Sequence, residues 1–249
     1  MFEQLLLFFI SLTANTFSSL AGGGAGLIQL PALLMLGLPF SIALATHKVA
    51  SVALGLGACV RYFKEDLLQR RLALLMLFSG LPSVVLGGLL IVRIPDHIAT
   101  VSLGILTIGL GIYSALNPNL GNSNQPKNMH TKGMILGAFG LSFIGFINGS
   151  LTSGTGLFAT MFLVRWFGLD YKHAVAYTLV IVGVFWNGTG AIAVGLLSNI
   201  QWNWMIALLL GSFLGGYIGS HLAIVKGNKL IKICYEVITI SIGLTLVLR

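Results

Sequence analysis

Charge is what this sequence has least of. Asp, Glu, Lys and Arg together make up 8% of its 249 residues, where a soluble domain carries about a quarter. So little charge cannot cover a surface that faces water. Cysteine is nearly absent as well. Cys59 and Cys234 lie in apolar runs without CxxC spacing, which points to packing rather than to metal ligation or a redox pair. With six acidic residues, no HExxH and no acid pair inside an apolar run, the sequence offers no catalytic residue, metal ligand or cofactor site. The GTG and SGTG stretches lack the strand, turn and helix that a phosphate loop or nucleophile elbow needs. Nothing binds a nucleotide, so an ATP-driven step is not expected of this chain. A cleaved signal is not expected either, because only Glu3 is charged before the first glycines and no basic region precedes the apolar stretch.

What the sequence does have is length in its apolar runs. Hydrophobic residues make up 56% of the chain, and runs such as Leu72 to Val92 and Trp202 to Val225 approach the roughly 20 residues of a membrane-crossing helix. The fold class is therefore an all-α polytopic membrane protein, with the lipid bilayer as its first partner. The net charge of +8 fits the accumulation of Lys and Arg in cytoplasmic loops. No soluble face exists to carry nucleic acid. The longest polar stretch, residues 117–132, is rich in Asn, Pro and Gly and reads as a linker.

The chain divides into two related halves, residues 1–116 and 132–249, joined by a polar linker at 117–131. AGGGAGLIQLPALLMLGLPFSIALAT, from Ala21, aligns with LTSGTGLFATMFLVRWFGLDYKHAVAYT, from Leu151. Gly24 and Gly26 fall on Gly154 and Gly156, Leu27 on Leu157, and Ala43 and Ala45 on Ala174 and Ala176. The hydropathy pattern predicts about five helical segments per half: 3–19, 26–37, 42–60, 72–92 and 97–116, then 132–149, 155–167, 173–195, 202–225 and 230–248. The segments 26–37 and 155–167 are too short to cross as plain helices. If every segment nevertheless counts as a crossing, the basic residues of 61–71, 117–132, 165–173 and 225–232 share one side, opposed only by Arg93 and Arg249. Otherwise the bias vanishes. The positive-inside rule selects the first arrangement and makes those loops cytoplasmic. Five crossings per half invert the second half relative to the first. Inverted repeats with glycine-rich broken helices are the construction of many secondary transporters.

Three constellations are candidates for binding. The first is Gly22, Gly23, Gly24 and Gly26, matched by Thr152, Ser153, Gly154, Thr155 and Gly156. Helices starting there aim unsatisfied N–H groups into the bilayer and favour an anion; the plainer reading is close helix packing. The second is Thr46, His47 and Lys48, with Thr178 at the matching place. A lysine just inside a membrane helix either snorkels outward or faces protein, water or a partner, and His47 accepts a proton during transport, as a group able to titrate near neutrality, or serves as a structural hydrogen-bonding group. The third is Asn148 with Asn187, amides that bond a neighbouring helix or donate to an oxyanion. Gln29 and Ser51 pose the same choice.

The two glycine-centred motifs, together with FSGLPSVVLGGLLIVRIPDHIATVSLGILTIGLGIY from Phe78 to Tyr113, resemble the sulfite exporter TauE/SafE family over nearly the whole chain. The resemblance implies a bacterial-type inner-membrane permease for a small sulfur-containing anion such as sulfite or an organosulfonate. Without a nucleotide-binding domain uphill transport would need a coupling proton or ion or a partner, and without paired catalytic acids no enzymatic activity is expected. On the same scaffold stand two alternatives, an anion channel and a membrane subunit of a sulfur-metabolism complex. Thr152, Ser153 and Thr155 depart from the glycine run of the first half, offering hydroxyls either to an oxyanion or to the unwound backbone.

Overall fold

The computed structural model describes residues 2–90, 96–151 and 154–248. Among them run ten helices: α1 (Phe2–Ala21), α2 (Ala25–Met35), α3 (Phe40–Tyr62), α4 (Arg70–Leu90), α5 (Asp96–Ala115), α6 (Thr131–Leu151), α7 (Thr155–Phe167), α8 (Tyr171–Gly195), α9 (Trp202–Lys226) and α10 (Asn228–Val247). No strand occurs among the described residues. The expected segments are all present, with ends shifted by a few residues. For α8 the shift has a visible cause: the Asp170 carboxylate caps the helix by accepting from the His173 N–H at 2.8 Å, so the helix starts at Tyr171 rather than at 173.

Six of these helices are long and apolar enough to cross a bilayer, and the protein is multi-pass. Their outward faces are apolar. Phe78, Phe139, Ile192 and Ile206 are exposed, as a lipid-facing surface requires and a water-facing one does not tolerate. Between helices, glycines replace the missing hydrophobic driving force with close backbone contact. A methyl at Gly211, Gly215 or Gly219 of α9 would sit 2.6, 2.6 and 2.3 Å from the carbonyls of Phe8, Leu12 and Thr16 on α1. The pair α4 and α6 repeats the device, Gly87 against the Phe146 carbonyl and Gly149 against that of Val84.

The α2 and α7 helices, of 11 and 13 residues, reach only about 16 and 20 Å at ~1.5 Å per residue. A hydrocarbon core is about 30 Å thick. Both therefore start inside the bundle, directly after a break.

The four basic loops gather at one end of the bundle. Gln125 and Lys127 donate their N–H groups to Gly168 and Phe167, and Tyr171 donates to Gly121. Lys172 N–H donates to Asn228 Oδ1 at 2.8 Å, and Arg61 Nε to His221 Nδ1 at 3.1 Å. The opposite end is tied by Gln4 Nε2 donating to the Asn203 carbonyl at 2.8 Å. Glu65, at the basic end, receives Arg61 Nη1 at 2.9 Å and Lys172 Nζ at 3.2 Å. The Arg61 guanidinium first, and the Lys172 ammonium next, hold its carboxyl below the usual range. A depressed carboxylate stabilises the fold above the unfolded pKa of about 4.3 and loses that contribution as pH falls through its folded value. We expect detergent-solubilised protein to lose a small, solvent-screened increment of thermal stability on acidification below that range, and Glu65→Gln to remove the increment; unfolding scans across the acid range check it.

Candidate functional site

The two breaks meet. Gly24 and Gly154 occupy left-handed conformations, with φ of 97° and 75°, and cap the N-termini of α2 and α7. Each is covered by the first-turn leucine of the other half: a methyl on Gly24 would lie 3.2 Å from Leu157 Cδ1, and one on Gly154 3.2 Å from Leu27 Cδ1. Between them Gly23, at φ 136°, lies so close to Gly156 that an added Cβ would fall 2.5 Å from its Cα. Thr160 on α7 completes the first break, its hydroxyl donating to the Gly22 carbonyl at 2.7 Å and reaching the Thr178 hydroxyl at 2.9 Å.

Where the breaks meet there is a cavity of about 30 Å³, lined by Ser18, Gly23, Gly24, Gly26, His47 and Ser51 from the first half and by Asn148, Thr155, Gly156, Thr178, Gly183 and Asn187 from the second. Among the described residues, no acidic side chain lines it. The N-terminal ends of α2 and α7, the positive ends of their dipoles, open onto it. Asn148 Nδ2 donates to Thr155 Oγ1 at 2.8 Å and to Asn187 Oδ1 at 3.3 Å, tying α6, α7 and α8 together around the second break. On α8 the wall is the stretch Thr178–Trp186, wound as a π-helix. That widening brings Gly183 against Gly55 of α3, and such insertions concentrate at functional sites.

Lys48 stands behind this wall. It is completely buried, and its Nζ donates at 2.8 Å to the Asn148 carbonyl. That carbonyl is among the last four of α6, beside the second break. The lysine thus caps the break with its side-chain nitrogen. No carboxylate pairs with it among the described residues. It does not snorkel; of the readings the sequence allows, it faces protein, the Asn148 carbonyl.

The sulfite exporter TauE/SafE family model matches residues 7–246, almost the entire bundle, both breaks included. The chain belongs to the sulfite exporter TauE/SafE family. Similar proteins include the probable membrane transporter protein ORF9 of Sinorhizobium sp, 30% identical over 96% of this chain and 90% of that one. The probable membrane transporter protein YfcA of Escherichia coli (strain K12) is 31% identical over 91% of this chain and 83% of its own. YunE of Bacillus subtilis (strain 168), also a probable membrane transporter protein, is 22% identical over 97% and 96%. No solved structure matches.

In this TauE/SafE chain the cavity gathers most of the residues singled out from the sequence, though not all of them. Gly23, Gly24, Gly26, His47, Asn148, Thr155, Gly156, Thr178 and Asn187 line it. Thr46 does not: its hydroxyl accepts from the Gln201 N–H at 3.0 Å, at the end of the bundle away from the basic loops. Gly22 and Gly154 shape the breaks from outside the lining, Lys48 acts through the Asn148 carbonyl, and Thr152 and Ser153 lie outside the described residues. Gln29 stands one layer behind, its Oε1 2.7 Å from His47 Nδ1. The residue that sequence reasoning missed is Ser18. It is buried, lines the cavity, and its hydroxyl has no hydrogen-bond partner. Its signal was the Ser18-Ser19 pair just ahead of the glycine run, polar residues in an apolar helix at the point where it breaks.

Proposed function

We propose that this chain is a secondary transporter of a small sulfur-containing oxyanion, sulfite or an organosulfonate, held in the cavity between the two breaks. The observation that carries the reading is Lys48, a fully buried lysine without a carboxylate partner among the described residues, placed behind a cavity that presents two helix N-termini and, among the described residues, no acid. Intramembrane cations face a partner or a pathway, and an anion in the cavity supplies the missing countercharge. Asn148 Nδ2 and the hydroxyls of Ser18, Thr155 and Thr178 are the donors within reach of it.

At about 30 Å³ the cavity has room for roughly two waters, less than an oxyanion with its donors needs. Binding therefore requires movement, and the reading assigns this conformation to a closed intermediate. The moving bodies are residues 1–116 and 132–249, as inverted repeats joined by the 117–131 linker, rocking about the contact of the breaks. In this arrangement α1 on α9 answers α6 on α4, and the Gly24–Leu157 contact answers Gly154–Leu27. The gathered basic loops face the cytoplasm.

The test is flux. Protein reconstituted into liposomes is offered sulfite, ethanesulfonate and thiosulfate, and we expect saturable movement of at least one. Asn148→Ala should lower apparent affinity about tenfold or more, the loss of one hydrogen bond to a charged group. Folded protein that neither binds nor moves any of the three overturns the reading, and flux that rises without saturation makes the chain a channel.

A further inference from the structure

The cavity holds one group that anion binding alone does not use. His47 is buried and lines it, and both ring nitrogens are engaged. Gln29 donates through Nε2 to Ser11 Oγ at 3.0 Å, so its Oε1, 2.7 Å from His47 Nδ1, can only accept. Nδ1 therefore carries a proton whether the ring is neutral or charged. In the neutral ring Nε2 is a bare acceptor, and Ser51 Oγ, 3.2 Å away, donates to it. A serine has one proton, so Ser51, which also lines the cavity, then has none to offer there.

We infer that His47 is the binding site of a coupling proton, and that Ser51 relays its state to the anion. Resting on the reading of the cavity as an anion site, the step is simple. One proton passes from solvent to His47 Nε2; no bond to the anion forms or breaks. Nε2–H now donates, Ser51 Oγ accepts, and the Ser51 hydroxyl proton turns into the cavity. One event thus adds a positive charge and frees an O–H donor facing the anion. Linkage makes the effect mutual: a proton that tightens anion binding is itself held tighter, by the same factor, once the anion is bound.

The position suits this role. Gln29 belongs to the broken helix α2 and bonds to Ser11 of α1, which in turn meets Ser212 of α9 at 2.8 Å. The ring orientation is thereby fixed by three helices besides its own. Lys48 is the charged neighbour of His47. Among the helices packed on α3, α1 carries only Glu3, in its first turn, and α2 carries no charge. On α8, Tyr171, Lys172, His173 and Tyr177 belong to the basic-loop end, and on α9 so do Tyr217, His221 and Lys226. Among the described residues of these helices no carboxylate faces His47, so the countercharge to its protonated ring is the bound anion.

Calorimetric titration of the purified full chain with ethanesulfonate, ionised across the range from about pH 5 to about pH 8 in which a histidine titrates, tests the inference. Run in buffers of different ionisation enthalpy, it counts protons. We expect about one proton taken up per anion over part of that range, with affinity rising by up to about tenfold for each unit of falling pH. His47→Gln should bind with pH-independent affinity and take up none. Ser51→Ala should bind about tenfold more weakly on the acid side and match the parent on the alkaline side. Binding by the unaltered protein without proton uptake overturns the coupling and leaves the anion site standing. Uptake that persists in His47→Gln moves the proton to Lys48 and overturns it equally. Folded protein that binds no anion at any pH defeats the anion site itself, and this inference with it.

Discussion

Gly23→Ala is expected to destabilise the folded protein by about 2–6 kcal/mol, enough to leave little monodisperse protein after solubilisation. Two terms add. At φ 136° the backbone lies where a side chain is strained, worth about 1–3 kcal/mol. The new Cβ would also meet Gly156 Cα, Gly156 C and Leu157 N at 2.5, 2.6 and 2.7 Å. All three are backbone atoms of the other break and cannot rotate away, and overpacking of this kind costs about 1–3 kcal/mol more. Against a total stability of about 5–15 kcal/mol, the sum is large. Two comparisons isolate the cause. Gly24→Ala carries the strain, at φ 97°, but meets only the end of the Leu157 side chain at 3.2 Å, so it should lose less. Gly188→Ala on α8 meets Val52 at an ordinary 3.7 Å and should be nearly neutral. Thermal unfolding in detergent ranks the three, and a Gly23→Ala protein that melts beside the parent would show that the breaks do not touch.

That ranking also marks how far the sequence could be read. The breaks were legible because three consecutive glycines exceed what helix packing needs, and because the second set recurs at matching spacing. The gathering of basic loops was legible from charge alone. The direction of side chains within one helical turn was not. Thr46 and His47 are neighbours in the chain, yet successive residues point about 100° apart on a helix, and only His47 reaches the cavity. The π-wound stretch Thr178–Trp186 was hidden for a different reason. Its sequence, TLVIVGVFW, is apolar on nearly every side, so no periodicity reports the change of pitch. Lys48 was visible as an oddity whose partner was not, since it bonds to the Asn148 backbone, and a carbonyl leaves no trace in the sequence.

Lys48→Met separates the functional role of that lysine from its structural one. Two opposing terms act on stability. Removing a buried lysine that has no carboxylate partner among the described residues relieves a burden of about 2.5–3.5 kcal/mol at the centre of a membrane helix. Losing its hydrogen bond takes a donor from the Asn148 carbonyl at the end of α6, a cost of about 1–3 kcal/mol. The two nearly offset, so the variant should fold and melt within a few degrees of the parent. Anion affinity should nevertheless fall about thirtyfold, the lower end of the 2–5 kcal/mol lost when one member of a buried charge pair is truncated, because Lys48 acts from behind the wall. A second variant reaches the same charge by position alone. Gly190→Ala places a methyl 2.8 Å from Lys48 Nζ, the mobile end of a flexible chain, and should push the ammonium off the Asn148 carbonyl with the charge retained. If weakened anion binding follows from both changes, the charge must sit at the break; if Lys48→Met binds the anion as the parent does, the lysine is a helix cap and the anion is held by the cavity donors alone.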